Sequence, residues 1–303
     1  MTTHGATMSY PRTKGIILVL IAATSWGVSG TVAQYLFHQQ GFSASWLVVI
    51  RLLFSGAGLL LFAHTAGKQN IWSVWKNKQD VLRLVIFGII GMLGVQYTYF
   101  AAIQHGNAAT ATVLQYLAPV IIAAYLCLNA KSSPARHETI AIIFALGGTF
   151  LLVTRGNVDS LSISVPAFVW GILSAFALAF YTLYPGRLLT KWGSLITVGW
   201  GMMIGGIGFS FISPPWVFQG SWSFPAFIAV VFVVIFGTLI AFFCYMESLK
   251  YIRASEASLL ACVEPFSAAF LAVVWLRVSF GAAEWIGSLA IIATVFILSS
   301  VKK

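Results

Sequence analysis

Acidic side chains are what this chain has least of. Asp and Glu number 7 in 303 residues, and all charged types together make up 8%. A soluble domain carries roughly a quarter charged residues, so water cannot be the main solvent here. Cysteine is scarce too. Cys127, Cys244 and Cys262 all fall in apolar sequence, which suggests neither a disulfide framework nor a metal site. The histidines His4, His38, His64, His105 and His137 lie at the ends of apolar stretches or between them, and no HExxH occurs. A membrane-embedded enzyme needs a nucleophile with its base, or a metal set, at one depth, and the sequence offers no such set. It also lacks the GxxxxGK[ST] loop, which removes ATP as a direct driver. No cofactor is implied.

What fills the chain instead is apolar: 59% of residues are hydrophobic and the mean hydropathy is +0.92. Ten stretches are long enough to span a bilayer. They are Lys14–Phe37, Ala44–His64, Leu82–Ala102, Asn107–Leu128, His137–Thr154, Val165–Leu188, Leu195–Ile212, Ala226–Glu247, Ser255–Leu276 and Gly281–Val301. About 20 helical residues cross a hydrocarbon core of ~30 Å. Lipid offers no partner to an unpaired amide, so the spans are helices. The first stretch is too long for a signal peptide and lacks a small-residue cleavage pattern; it is expected to stay.

A net charge of +10 would suggest nucleic acid in a soluble protein. Its distribution gives another reason. With both termini in the cytoplasm, fourteen Lys and Arg residues fall inside, while only Arg155 and Arg277 fall outside and Arg51 lies within a span. That is a positive-inside bias, and it calls for a bilayer as partner without nucleic acid. Trp72 and Trp75, among lysines in the loop from Thr65 to Val81, suit a short interfacial helix. Trp216 and Trp222 suit membrane-surface anchors.

The chain also repeats itself. Tyr99 to Val153 aligns without a gap on Tyr245 to Ser299, placing Tyr99 on Tyr245, Ala111 on Ala257, Pro119 on Pro265 and Glu138 on Glu284. Ten spans with both termini inside divide into two sets of five, residues 1–156 and 157–303. Five is odd, so the second set is inverted. The expected fold is an all-α integral membrane protein of ten transmembrane helices in two inverted five-helix repeats. That construction, with interrupted helices at matching positions, is common in secondary transporters.

Several motifs add a resemblance. Ser25-Trp26-Gly27 in span one, Arg51 in span two, Ala108-Ala109-Thr110-Ala111 up to Leu117-Ala118-Pro119 in span four, and Ala254-Ser255-Glu256-Ala257 up to Glu264-Pro265 in span nine stand in this order, with Tyr181-Thr182 and Arg187-Leu188 between. Together they resemble the EamA-type branch of the drug/metabolite transporter superfamily. The resemblance implies ten helices in two inverted repeats and export of varied amino acids and metabolites. Where that family often carries a glutamate after helices four and nine, this chain has Lys131 and Arg277, so no role for that acid is carried over.

Candidate site residues follow from cost. Pro119 and Pro265 each fall about eleven residues, ~16 Å, into a span. Each frees a backbone carbonyl there. Glu264 is the acid set well inside a span, where an isolated carboxylate costs several kcal/mol. It has three readings: an ammonium partner in the cargo cavity, a carrier of a coupling proton, or a protonated structural acid. Arg51 either snorkels to the outer headgroups or pairs with Glu264. Gln96 and Gln115 reach similar depth on adjacent spans, where they either bond each other or hold polar cargo. Trp26, Tyr99, Tyr181 and Tyr245 either pack or supply aromatic walls suited to amines.

The leading expectation is a secondary carrier of the bacterial cytoplasmic membrane that exports small metabolites or amino acids by alternating access. Its partners would be a small-molecule cargo, lipid and, in one reading, a coupling proton. The alternative is a channel-like passive facilitator.

Overall fold

Apolar sequence with satisfied backbone groups becomes helix, and every element among the described residues is helical. The computed structural model describes residues 10–131, 135–155, 157, 162–248, 250–252, 257 and 260–299. In chain order the helices are α1 (Tyr10–Gln39), α2 (Ala44–Thr65), α3 (Lys78–His105), α4 (Ala108–Asn129), α5 (Arg136–Thr154), α6 (Val165–Leu183), α7 (Gly186–Ser210), α8 (Phe224–Ser248), α9 (Val263–Val274) and α10 (Ala282–Ser299). The first eight are long and apolar enough to cross a bilayer, and α9 and α10 contribute shorter apolar segments. The expected all-α, ten-helix membrane fold is what forms. Arg253, Glu256, Lys302, Lys303 and most of the small-residue opening of span nine, Ala254 to Ser258, lie outside the described residues.

Polar side chains cap the starts of five helices, and basic residues follow the ends of α4 and α9. Side chains of Ser43, Asn77, Asn107, Ser164 and Ser223 accept hydrogen bonds from first-turn amides of α2, α3, α4, α6 and α8, which a helix N-terminus otherwise leaves unpaired. Lys131 after α4 and Arg277 after α9 both adopt left-handed backbone, φ 50° and 54°. This conformation is uncommon outside glycine, and the two residues are related by the sequence repeat. The helix stop is thus repeated along with the sequence. Glu138 and Glu284, also repeat partners, each accept from an amide three residues back, Ala135 N at 2.7 Å and Gly281 N at 2.5 Å.

One boundary departs from expectation. The sixth span ends at Leu183 rather than Leu188, and Arg187-Leu188 open α7. Pro185 cannot continue α6 with a ladder hydrogen bond. Gly193, at φ 76° inside α7, then sets a short first segment apart from the long remainder.

The second kind of irregularity is internal. Residues Phe87–Leu93 of α3 and Ile235–Ile240 of α8 wind as π-helix, and the spacing of the sequence repeat, carried back ahead of Tyr99, makes the two segments overlap without matching end to end. Such bulges collect at functional sites because they shift the backbone by one residue.

Helix α1 runs through the middle, against α3, α4, α8 and α9, while α2 packs on α7, α3 on α6 and α5 on α10. Glycines allow the closest of these approaches. A Cβ on Gly148 would meet the Gly287 carbonyl at 2.7 Å, and one on Gly287 would meet the Gly148 carbonyl at 2.6 Å. The two halves are also tied at both ends of the bundle. At one end Phe42, Trp46, Phe218 and Trp222 interlock with ring centroids 4.9–5.8 Å apart, and Trp46 Nε1 donates to the Pro215 carbonyl at 2.8 Å. Trp222 is thus part of a seal as well as of the surface. At the other end buried Asp80 accepts from Lys191 Nζ (2.5 Å) and Trp192 Nε1 (3.2 Å). There Trp72 and Trp75, the latter in the short 3-10 helix Ser73–Lys76, lean on Trp200.

Candidate functional site

Both expected proline breaks exist, and they meet. Helix α4 is regular to Gln115, turns at Tyr116-Leu117 and resumes at Ala118 with Pro119 in its first turn. The second break is a turn at Cys262, with Pro265 in the first turn of α9. A proline leaves the carbonyl four residues earlier without its helical donor; for Pro265 that carbonyl belongs to Ala261. The hydroxyl of Tyr116, from the other break, donates to the Ala261 carbonyl at 2.7 Å. The same hydroxyl lies 3.3 Å from Glu264 Oε2. One interrupted helix therefore completes the backbone of the other and touches its buried acid.

Around this junction lies a ring of aromatic groups. Trp26 of α1 packs on Tyr245 and Phe242 of α8, both with centroids at 5.4 Å, and Tyr181 of α6 stacks on Phe87 at 5.6 Å. Glu264 is within electrostatic reach of the phenols of Tyr99, Tyr116 and Tyr245, and Tyr181 within reach of Tyr245. Trp26, Tyr116, Tyr181, Tyr245 and Glu264 all keep some accessible surface, although all but Tyr116, at the α4 turn, sit within helices. Glycines bring α1 close: a Cβ on Gly27 would lie 2.5 Å from the Glu264 carbonyl, and one on Gly30 2.5 Å from the Tyr99 hydroxyl.

Three contacts that the sequence left as open alternatives are not made. Gln96 and Gln115 do not bond each other. The seam between α3 and α4 is closed instead by Tyr99 Oη and Thr112 Oγ1, 2.7 Å apart. Arg51 does not reach a headgroup region either: it is 4% exposed, with Nε donating to Thr238 Oγ1 at 3.0 Å. Its guanidinium carbon sits 4.4 Å from the Phe100 ring centroid. Nor does Arg51 pair with Glu264; among the described ion pairs it takes part in none.

The π segment of α8 explains why Arg51 stays inside. Thr238 Oγ1 donates to the Val233 carbonyl at 2.9 Å, and Ser55 Oγ donates to the Val234 carbonyl at 3.0 Å. Carbonyls displaced by the bulge are thus taken up by hydroxyls. Arg51 and Ser55, one turn apart on α2, follow that segment as a pair. Sequence reasoning missed Thr238 and Ser55 and missed Tyr116 as the link between breaks. For Tyr116 a signal existed, because a mid-span proline demands a donor from elsewhere, but nothing said which helix would supply it.

The arrangement offers a carboxyl group, phenols and an indole for a cationic or amphipathic molecule, within a bundle broken at two repeat-related points. Comparison with known proteins gives the family and leaves the cargo open. The EamA-like transporter family model matches residues 13–154 and again 165–300. The uncharacterized inner membrane transporter YicL of Salmonella typhimurium is 43% identical over 289 residues, covering 94% of this chain and 95% of that protein. The uncharacterized transporter YwfM of Bacillus subtilis is 26% identical over 290 residues, with 94% and 93% covered. A solved crystal structure superposes with a TM-score of 0.62 at 17% identity over 94% of this chain and 96% of that one, a likeness of fold alone.

Proposed function

Because the chain belongs to the EamA-like transporter family, we propose that it is a secondary carrier exporting small amphipathic metabolites, amino acids among them, across the cytoplasmic membrane by alternating access. In this reading residues 1–156 and 157–303 are the two inverted five-helix units, both termini are cytoplasmic, and the halves rock about the junction of α4 with α9. The bias of Lys and Arg to one side supports the orientation. The observation that carries the reading is the Tyr116–Ala261–Glu264 junction. It joins the two repeat-related breaks to each other and to a mid-span acid, and broken helices at matched positions are the best pointer to a transport site.

The junction also fits proton coupling. A carbonyl only accepts, so the Tyr116 proton belongs with Ala261. An ionised Glu264 then shares that proton weakly, whereas a protonated Glu264 can donate to the phenol oxygen. Protonation would thus tighten the contact between the two breaks, and a cargo ammonium would loosen it.

The test is flux in proteoliposomes loaded with candidate amino acids, amines and organic acids, wild type against Glu264→Gln. Loss of flux in the variant, with folding intact, supports a cargo or proton role. Undiminished flux would make Glu264 a structural acid and remove the junction from the transport site.

A further inference from the structure

A second set of buried polar side chains takes no part in the Tyr116–Glu264 junction, and two of its polar atoms, Gln96 Nε2 and Ser29 Oγ, have no hydrogen-bond partner. At its centre is Arg51, buried and without an ion pair among the described residues. A guanidinium has five N–H groups. Nε is engaged by Thr238 and one face rests on Phe100, which leaves the Nη edge. Gln96 stands one helical turn before Phe100 on α3, on the same face. It is 5% exposed, and its Nε2 has no hydrogen-bond partner. Ser29 of α1 is equally buried and its Oγ is also unpartnered; it lies against Gly237, the neighbour of Thr238, where an added Cβ would come within 2.1 Å of that oxygen.

Burying a cation without a counter-ion, together with amide and hydroxyl groups without partners, is costly, and each such group in a folded protein calls for an explanation. A carboxylate at the Nη edge would neutralise the guanidinium and could accept from the Gln96 amide one turn from Phe100. The aromatic seal of Phe42, Trp46, Phe218 and Trp222 lies toward the start of α2, with Trp46 five residues, about 7.5 Å, from Arg51. Toward the other side stands Tyr99, which Arg51 and Glu264 both influence electrostatically.

We propose that Arg51, Gln96 and Ser29 form a carboxylate subsite of the transport pathway, with the Nη edge and the Gln96 amide as its donors. The inference rests on the carrier reading for its role, since a subsite matters to transport only if cargo passes. Together with Glu264 it divides the pathway into an anion-binding and a cation-binding pole.

The test measures binding without transport. Purified protein in lipid nanodiscs is titrated with sodium acetate, butyrate and hexanoate, with sodium chloride and inorganic phosphate at matched ionic strength, and the melting temperature is read by intrinsic fluorescence. Carboxylates should raise it saturably, and chloride and phosphate should not. Gln96→Leu removes an unpartnered amide, so it should raise the melting temperature of the ligand-free protein while weakening carboxylate binding by about ten-fold, the worth of one charge-assisted hydrogen bond. Arg51→Lys keeps the charge but loses the fork and should weaken it at least as much. Equal response to chloride, or a Gln96→Leu variant that binds carboxylates as the parent does, overturns the subsite. Carboxylate binding without flux of any cargo would leave the subsite standing and count against the carrier reading.

Discussion

The Tyr116 hydroxyl donates to the carbonyl of Ala261, 145 residues away, and that carbonyl is the one left open by Pro265. The bond therefore compensates a defect in a different helix. Removing it by Tyr116→Phe should lower stability by about 0.5–1.5 kcal/mol, the range for interhelical hydrogen bonds in membranes. In a Pro265→Ala background the new amide can close the helix on Ala261 by itself, so Tyr116→Phe should there cost markedly less. A double-mutant cycle on unfolding in detergent measures the difference. Equal cost in both backgrounds would show that the hydroxyl does not serve that carbonyl.

Gly27 is where α1 meets α9. A Cβ there would fall 2.5 Å from the Glu264 carbonyl and 2.7 Å from the Ser267 Cβ, and backbone cannot yield as a flexible side chain does. Gly27→Ala should cost about 1–3 kcal/mol and reduce flux. Gly147 on α5 has nothing within 4 Å, so Gly147→Ala should be neutral, or stabilise by up to about 1 kcal/mol through helix propensity. Thermal unfolding of the pair distinguishes close packing from a general intolerance of substitution.

Glu284 has two partners, Arg155 Nε at 2.6 Å and Gly281 N at 2.5 Å. Arg155 is about half exposed, so the ion pair should contribute little, about 0–1 kcal/mol. The amide bond caps α10 and should add about 1 kcal/mol. Glu284→Ala should therefore destabilise more than Arg155→Ala, and only the Arg155 contribution should fade in high salt. The repeat partner Glu138, which caps α5 from Ala135, should show the same salt-insensitive cost.

Asp80 is fully buried with Lys191 on one oxygen, while its other oxygen, Oδ1, has no partner. Taking away the lysine leaves a buried carboxylate with Trp192 Nε1 as its neutral donor, a change for which breaking a fully buried pair sets an upper limit of about 3–5 kcal/mol. The exposed side of Lys191 reduces that figure. Lys191→Met should lower folded yield more than Asp80→Asn, which keeps the shape and loses the charge. Yield by size-exclusion chromatography checks the order.

The fold was legible because its causes are periodic and local. Long apolar runs and two mid-span prolines dictate spans and breaks without any knowledge of neighbours. Trp26, Tyr99, Tyr245 and Glu264 could be chosen from depth and residue type alone. What stayed hidden depends on which helices touch. Arg51 reads as a snorkelling residue until α8 is seen to present Thr238 from a π segment, which no spacing rule announces. Tyr116 resembles any other mid-span aromatic until α9 is placed beside it. The end of α6 was misplaced because Pro185-Gly186 lies inside an apolar run that hydropathy does not divide.

Carrier action is tested most directly by counterflow. Proteoliposomes loaded with an unlabelled cargo found in the flux screen are diluted into a trace of the same compound in labelled form, at several concentrations. The account predicts saturable uptake that is stimulated by internal cargo and that overshoots equilibrium, as expected when one site faces the two sides in turn. Linear flux, indifferent to cargo on the far side, would contradict it and describe a pore.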